Sequence, residues 1–159
     1  MTNENDMTAS GAELRQSRKS WMSLLATADE ARLRDLWAGF DRNPDHSWLR
    51  APEAGGVMVR GRMGAAGAPF NLGEMTVTRC ALTLADGTVG HGYVQGRSKA
   101  KAEIAAKIDA MMQTDAADDL HRTILVPLLE AKEDHRMQRA AKAAATKVDF
   151  FTMVRGEDG

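Results

Sequence analysis

Residues 75–95 read Met-Thr-Val-Thr-Arg-Cys-Ala-Leu-Thr-Leu-Ala-Asp-Gly-Thr-Val-Gly-His-Gly-Tyr-Val-Gln, and this stretch decides the fold. Valine, threonine and other strand-forming residues flank Asp86-Gly87, which is the strongest two-residue signal for a β-hairpin. A type I′ turn at this dipeptide places Leu82 opposite His91 and Cys80 opposite Tyr93. The stretch therefore predicts two antiparallel strands that share a mostly apolar face.

The hairpin lies in a glycine-rich middle section of the chain. Ten of the 14 glycines fall between Gly55 and Gly96, interspersed with valine and threonine. This mixture favours strands joined by tight turns over helices. We expect a third strand over residues 57–63 and a glycine-rich loop over residues 64–73.

Helical patterns flank this section on both sides. Apolar residues recur at helical spacing over about residues 12–27, and Thr27-Ala-Asp-Glu30 has the form of a capping box for a second helix. After the hairpin, Ser98 is a candidate N-cap for a helix, and residues 128–145 have a strongly helix-forming composition. The sequence thus predicts an α+β fold: N-terminal helices, a central antiparallel sheet, C-terminal helices and a short extended tail.

Length and composition limit the class of protein. A chain of 159 residues with 43% hydrophobic residues suits one globular domain, which we place at residues 12–156 after a flexible tail at 1–11. The net charge of -1 argues against a general nucleic-acid or membrane-surface binder. A single cysteine, no apolar run near the ~20 residues of a membrane span, and a polar N-terminus suggest a cytoplasmic protein.

The residue patterns assign no catalytic, cofactor-binding or metal-binding residue. The four histidines are widely spaced, and HExxH, GxSxG and a second cysteine are all absent from the sequence. Cys80 lies among apolar strand residues without an evident base, so we interpret it as a packed thiol.

Basic residues provide candidate anion-binding positions. Arg97 and Lys99 stand beside the predicted N-terminus of the helix capped by Ser98, where free amides favour a phosphate. Arg60 and Arg62 point to the same side of their strand, and Arg79 joins them if the strands are neighbours. The alternative is that these cations are only solvated.

The end of the chain is a candidate partner-binding segment. Val148–Val154 is apolar and contains two of the four phenylalanines, Phe150 and Phe151. We predict that Phe150, Phe151, Met153 and Arg155 contact a partner. Adding a strand to the protein's own sheet and docking onto another chain both remain open.

Several segments together resemble the PhnG family of the bacterial carbon–phosphorus lyase system. They are Arg18–Ala26, Arg60–Gly64, Thr78–Cys80, Asp86–Thr88, Val94–Arg97 and Val148–Gly156. The string Asp-Phe-Phe-Thr-Met-Val-Arg-Gly at 149–156 is the most specific of these. The resemblance covers roughly residues 15–156.

The resemblance implies a subunit of a multisubunit transferase in phosphonate catabolism. With PhnH, PhnI, PhnJ and PhnL, the family displaces adenine from ATP with an alkylphosphonate to give ribose 1-alkylphosphonate 5-triphosphate. It implies no cofactor bound by this chain alone, since ATP is a substrate of the complex, and it carries over no catalytic residue. Two alternatives stay open: a stand-alone anion- or nucleotide-binding module, and a subunit that only stabilises its partners.

Overall fold

The computed structural model describes residues 17–64 and 66–147, and these form an α+β fold. Helices and strands follow one another in the predicted order. Two helices come first, α1 over residues 17–27 and α2 over Glu30–Gly39. Three strands follow, namely β1 (His46–Arg62), β2 (Pro69–Leu84) and β3 (Val89–Gln95). The remaining elements are α3 (Lys99–Met111), α4 (Ala117–Leu120), a π-helical turn (His121–Leu125) and α5 (Val126–Ala145).

The start of α2 corrects the predicted capping box. Asp29, and not Thr27, is the N-cap, because the Asp29 side chain accepts a hydrogen bond from the Arg32 amide at 2.9 Å. Thr27 still belongs to α1 and its hydroxyl donates to the Ser23 carbonyl. A carboxylate is the stronger capping acceptor at this position, so the turn between the helices begins two residues later than expected.

The strands form one antiparallel sheet in the order β1-β2-β3. The turn at Asp86-Gly87 is confirmed, but the predicted register is wrong by one residue. Leu84 accepts from Gly87 and donates to Thr88, so three residues form the loop, with Gly87 at a φ of +87°. This is the geometry of a longer hairpin loop that ends in a left-handed glycine.

The shifted register exchanges the two faces of β3. Cys80 pairs with Gly92 and Leu82 with Gly90, whereas His91 and Tyr93 pair with Ala81 and Arg79. Consequently, Arg79 stands opposite Tyr93. A slip by one residue moves every side chain of a strand to the other face, which explains why the expected apolar pairs are absent from this hairpin.

Close packing of α3 on β3 accounts for this register. A Cβ built on Gly92 would stand 2.1 Å from the Ala102 carbonyl oxygen, and one on Gly90 would stand 2.0 Å from the Ala106 oxygen. Only glycine fits at these two positions, and in the predicted register His91 and Tyr93 would have met the helix instead. The turn alone is compatible with more than one register, and the two glycines determine which one the hairpin adopts.

Helix α3 is the centre of the core. It begins at the predicted N-cap Ser98, whose hydroxyl accepts from the Lys101 amide. Residues 104–111 are all buried, since the sheet covers one side of the helix and α1 and α2 cover the other. Glu103 and Lys107, one turn apart on α3, form an ion pair with a nitrogen–oxygen distance of 2.7 Å.

The last helix, α5, extends away from the other helices and the sheet. The π-helical turn directly precedes Pro127, which has no amide hydrogen to donate, and α5 continues through it. Leu128 is buried, whereas every residue from Leu129 to Lys147 is exposed. At 1.5 Å per residue, the exposed part of α5 extends about 25 Å from the body.

Candidate functional site

A two-stranded projection, here called the arm, is the most exposed part of the sheet. It consists of residues 56–62 of β1 and 69–76 of β2, which pair with each other beyond the end of β3. Every one of these residues is exposed or half-buried. At ~3.3 Å per residue the arm is about 23 Å long. This geometry corrects the expected strand at 57–63, since β1 already begins at His46, and it shortens the expected loop to residues 63–68.

The two faces of the arm differ in character. Gly61 pairs with Phe70, and the Leu72 side chain lies directly over Gly61, where a Cβ would stand 2.3 Å from Leu72 Cδ1. Phe70 and Leu72 nevertheless remain 41% and 62% exposed. Arg60 and Arg62 alternate with Gly61 and so lie on the opposite face. The arm thus presents one apolar face and one face that carries Arg60 and Arg62, here called the cationic face, with Met58 and Glu74 nearer its base.

Arg79 is not part of this cationic face. Its guanidinium donates to Glu53 Oε1 at 2.9 Å, and Arg50 also reaches this carboxylate at 3.5 Å. Register places Arg79 opposite Glu53, seven residues along β1 from Arg60 and on the other face. The structure therefore brings Arg60 and Arg62 together and separates Arg79 from them.

The N-terminus of α3 already has a carboxylate beside it. The Ser98 hydroxyl donates to Glu30 Oε1 at 2.7 Å, so an acidic side chain of α2 occupies the position where an anion would bind. Arg97 and Lys99 are both exposed at the surface around this cap. The arrangement favours solvated cations here over a phosphate site.

The predicted partner-binding residues at the end of the chain lie outside the described residues. They are Phe150, Phe151, Met153 and Arg155. Their proposed role stays a prediction.

The buried reactive side chains serve packing. Burial raises the pKa of the Cys80 thiol to about 11, and the thiol donates to the Ala102 carbonyl at 3.2 Å. The thiol is therefore protonated near neutral pH and is a poor nucleophile. Burial also lowers the pKa of Lys101, whose ammonium group donates to the Ala26 carbonyl at the end of α1. Within residues 17–64 and 66–147, no three His, Cys, Asp or Glu side chains are grouped to hold a metal ion.

A groove of about 740 Å³ runs between α1 and the start of α5. Trp21, Leu24 and Leu125 contribute apolar lining, and Lys19 and Lys132 are among its polar residues. The Trp21 indole nitrogen donates to Asp109, so this ring is fixed in the core.

Sequence reasoning missed the apolar residues of the arm. Met58 and Met63 are 57% and 77% exposed, and together with Phe70 and Leu72 they are too exposed for a folded core. The sequence did contain a signal for these exposed residues. The segment Val57-Met-Val-Arg-Gly-Arg62 has the composition of a strand, and no helical segment is available to cover it. A covered sheet face requires a packing element, and the described elements all pack elsewhere.

Together, the fold and the site describe a small α+β protein whose arm exposes apolar side chains that none of residues 17–64 and 66–147 covers. The family model "Phosphonate metabolism protein PhnG" matches residues 16–156, so the chain belongs to the PhnG family. A curated relative from Rhizobium meliloti (strain 1021) is 46% identical over 145 residues, which are 89% of this chain and 90% of the relative. That relative is named alpha-D-ribose 1-methylphosphonate 5-triphosphate synthase subunit PhnG.

A search of the helices in the described part of the chain finds none that is long and apolar enough to cross a bilayer.

Proposed function

We propose that this chain is a subunit of the assembly that displaces adenine from ATP with an alkylphosphonate. The product is a ribose 1-alkylphosphonate 5-triphosphate, formed during phosphonate catabolism. The carrying observation is the 46% identity, across nearly the whole of both chains, to a subunit named for the methylphosphonate form of this synthase. The other subunits are PhnI, PhnH, PhnJ and PhnL, and the single cysteine suits an assembly in the reducing cytoplasm.

The chain supports the active site of a partner and does not itself carry out the displacement. In the reaction, a phosphonate oxygen bonds to the anomeric carbon of ribose while the bond from that carbon to the adenine nitrogen breaks. Water competes for the same carbon, and its attack gives hydrolysis in place of transfer. A subunit that docks beside the site and excludes water directs the reaction towards transfer. PhnI is the partner to which we assign the reacting centre.

Two parts of the chain are the candidate contacts with PhnI. One is the arm together with its glycine-rich turn, because its exposed apolar side chains have no cover within residues 17–64 and 66–147. The other is the segment Phe150–Met153. Apolar side chains left exposed in a monomer commonly mark protein–protein contacts.

Arg60 and Arg62 give the proposal a sharper form, in which they reach the triphosphate or the phosphonate. Both side chains are exposed, and neither forms an ion pair with another described residue. A guanidinium binds phosphate oxygens through two parallel hydrogen bonds. Arg97 and Lys99 are weaker candidates because Glu30 stands beside them.

Co-expression with PhnI followed by co-purification tests the docking. We expect a stable stoichiometric complex for the full chain. Truncation after Lys147 should abolish it while leaving most of the helical circular dichroism signal, since α1 to α5 all end before that residue. A complex that forms normally with the truncated chain would exclude the terminal segment as a contact.

Kinetics of the assembled complex test the arginines. Arg60→Ala and Arg62→Ala should each lower the rate of phosphonate transfer about tenfold, the loss that removing one charge-assisted hydrogen bond typically produces. Arg136→Ala is the matched control, because Arg136 is an exposed arginine of α5 paired only with Glu133. Unchanged transfer kinetics in both arm variants would exclude direct contact with the substrates. Transfer by a stable assembly lacking this chain would reduce it to a structural subunit.

A further inference from the structure

One edge of the arm has no neighbouring strand among the described residues. β1 pairs with β2 along its whole length, from Leu84 to Pro69, but β3 pairs only with residues 77–83. Residues 70–76 of β2 therefore have β1 on one side and an open edge on the other. An open edge of seven residues is as long as a typical strand.

The backbone along this edge is oriented for pairing. The Thr76 carbonyl accepts from the Gly96 amide at 2.9 Å, and this is the last hydrogen bond before β3 turns away. Alternate residues of an antiparallel strand direct their amide and carbonyl groups to the same edge. Glu74 remains in regular register opposite Met58, so its amide and carbonyl groups face the open edge beyond Gly96.

The two outer edges of the sheet are protected to very different degrees. The outer edge of β1 contains Pro52 and is interrupted by register shifts near Arg50 and Glu53. Residues 70–76, Phe-Asn-Leu-Gly-Glu-Met-Thr, contain no proline, lysine or arginine. Proline, lysine and irregular backbone are the features that prevent a sheet edge from pairing with another chain. The edge of β2 has neither proline nor lysine, and its one irregularity is the bulge at Leu72. Residues 73–76 stay in regular register with β1 and are thus a template for strand addition.

Charge indicates what the added strand must carry. Beside the open edge, Phe70 and Leu72 occupy one face of the arm. Arg60 and Arg62 occupy the other face, together with Glu74, whose carboxylate lies over Gly56 and away from the two arginines. The two arginines have no acidic partner in the described part of the chain. A second copy of this chain would bring the same two arginines and add like charges. An extended segment with alternating apolar and acidic side chains complements both faces.

We propose that residues 70–76 of β2 take an extended segment of another subunit as a fourth strand. Backbone hydrogen bonds to the outward amide and carbonyl groups of Glu74 hold the segment, its apolar side chains cover Phe70 and Leu72, and its carboxylates face Arg60 and Arg62. The inference rests on the proposed function, because it requires the partner subunits of the synthase.

Hydrogen exchange in the assembled complex provides the test. The chain is co-purified with PhnI, PhnH and PhnJ, and amide exchange in peptides that cover residues 69–76 is compared with that of the chain alone. We expect exchange within this stretch to slow at least tenfold on assembly. The variant Glu74→Pro, which lacks the outward amide, should lower the yield of complex at least tenfold. Glu74→Ala keeps the amide and should retain the complex.

The outcomes separate this inference from the proposed function. An active complex in which residues 69–76 exchange as fast as in the chain alone overturns the strand addition and leaves the proposed function standing. Absence of any complex overturns both. If the chain alone is a dimer with slow exchange at residues 69–76, the edge belongs to a second copy. The exchange measurement decides the matter even if Glu74→Pro fails to fold.

Discussion

Asp109 lies in the last turn of α3 and is fully buried, yet every hydrogen bond its carboxylate accepts comes from another element. Its Oδ1 accepts from the Trp21 indole at 2.9 Å and the Arg18 Nε at 3.0 Å, both on α1. Its Oδ2 accepts from the Arg18 Nη2 at 2.6 Å and the His91 amide at 2.8 Å. One carboxylate thus joins the first helix, the central helix and the sheet.

Replacing this carboxylate should destabilise the protein strongly. Asp109→Ala leaves buried donors on Trp21 and His91 and removes the partner of Arg18, a change that typically costs about 3–5 kcal/mol. We expect the melting temperature to fall by roughly 10 °C, as measured by circular dichroism. Asp115→Ala, at an exposed position, is the matched control and should melt within about 1 °C of the parent protein. Equal melting temperatures for both variants would show that the Asp109 network contributes nothing.

At the scale of the elements, two glycines determine how β3 meets α3. Gly90 and Gly92 allow the strand to approach the helix backbone so closely that an added methyl group would overlap a carbonyl oxygen. The same approach allows the Cys80 thiol to reach the Ala102 carbonyl. The packing of α3 against β3 and the register of the hairpin therefore depend on each other.

Gly92→Ala should separate the helix from the strand. The added Cβ meets backbone atoms that cannot rotate away, and overpacking of this kind costs about 1–3 kcal/mol or more. Chemical denaturation should show a lower midpoint. Gly73→Ala is the control, since a Cβ there would meet no atom within 4 Å. A midpoint for Gly92→Ala equal to that of Gly73→Ala would contradict the close packing.

Local signals in the sequence located most elements but not their exact pairing. Asp86-Gly87 and Ser98 are short-range signals, and both act where they were expected. The register depends instead on space beside α3, which lies far along the chain from the turn. A two-residue turn and a three-residue turn fit the same dipeptide, so the sequence alone could not distinguish them.

The types of the candidate site residues could be predicted from the sequence, but their arrangement in space could not. Arginines on strands indicated an anion-binding face, but the separation of Arg79 from Arg60 depends on a register that no local signal contained. No local signal in the sequence predicts the bulge opposite Val59 and Arg60 either. The open edge of β2 depends on where β3 ends, and this position is given by the structure.

As a whole molecule, the protein is a compact body with two projections, the arm and the exposed part of α5. A two-stranded ribbon without a covered face has little stability of its own in water. The apolar side chains of the arm add stability only when another surface covers them, at roughly 1.5–3 kcal/mol for each large side chain. The body therefore accounts for the stability of the fold, and the arm is the part that we propose for association.

Removing the arm should leave the folding of the body intact and abolish association with the partner. In a variant with residues 57–75 replaced by Asn-Gly, the paired residues Gly56 and Thr76 flank a short turn. We expect its melting temperature to stay within about 3 °C of the parent, because no buried residue is lost. Co-purification with PhnI should be lost. A melting temperature lower by more than about 10 °C would show instead that the arm stabilises the body.

The open edge also has a consequence for copies of the chain that have not yet found a partner. Pairing of two such copies through residues 70–76 would cover the apolar side chains of Phe70 and Leu72, at the cost of the like charges that Arg60 and Arg62 bring together. The rate of that encounter rises with the square of the concentration of free chains. If the chain is made in step with its partner subunits, this concentration stays low, and balanced production would then protect the protein from self-association.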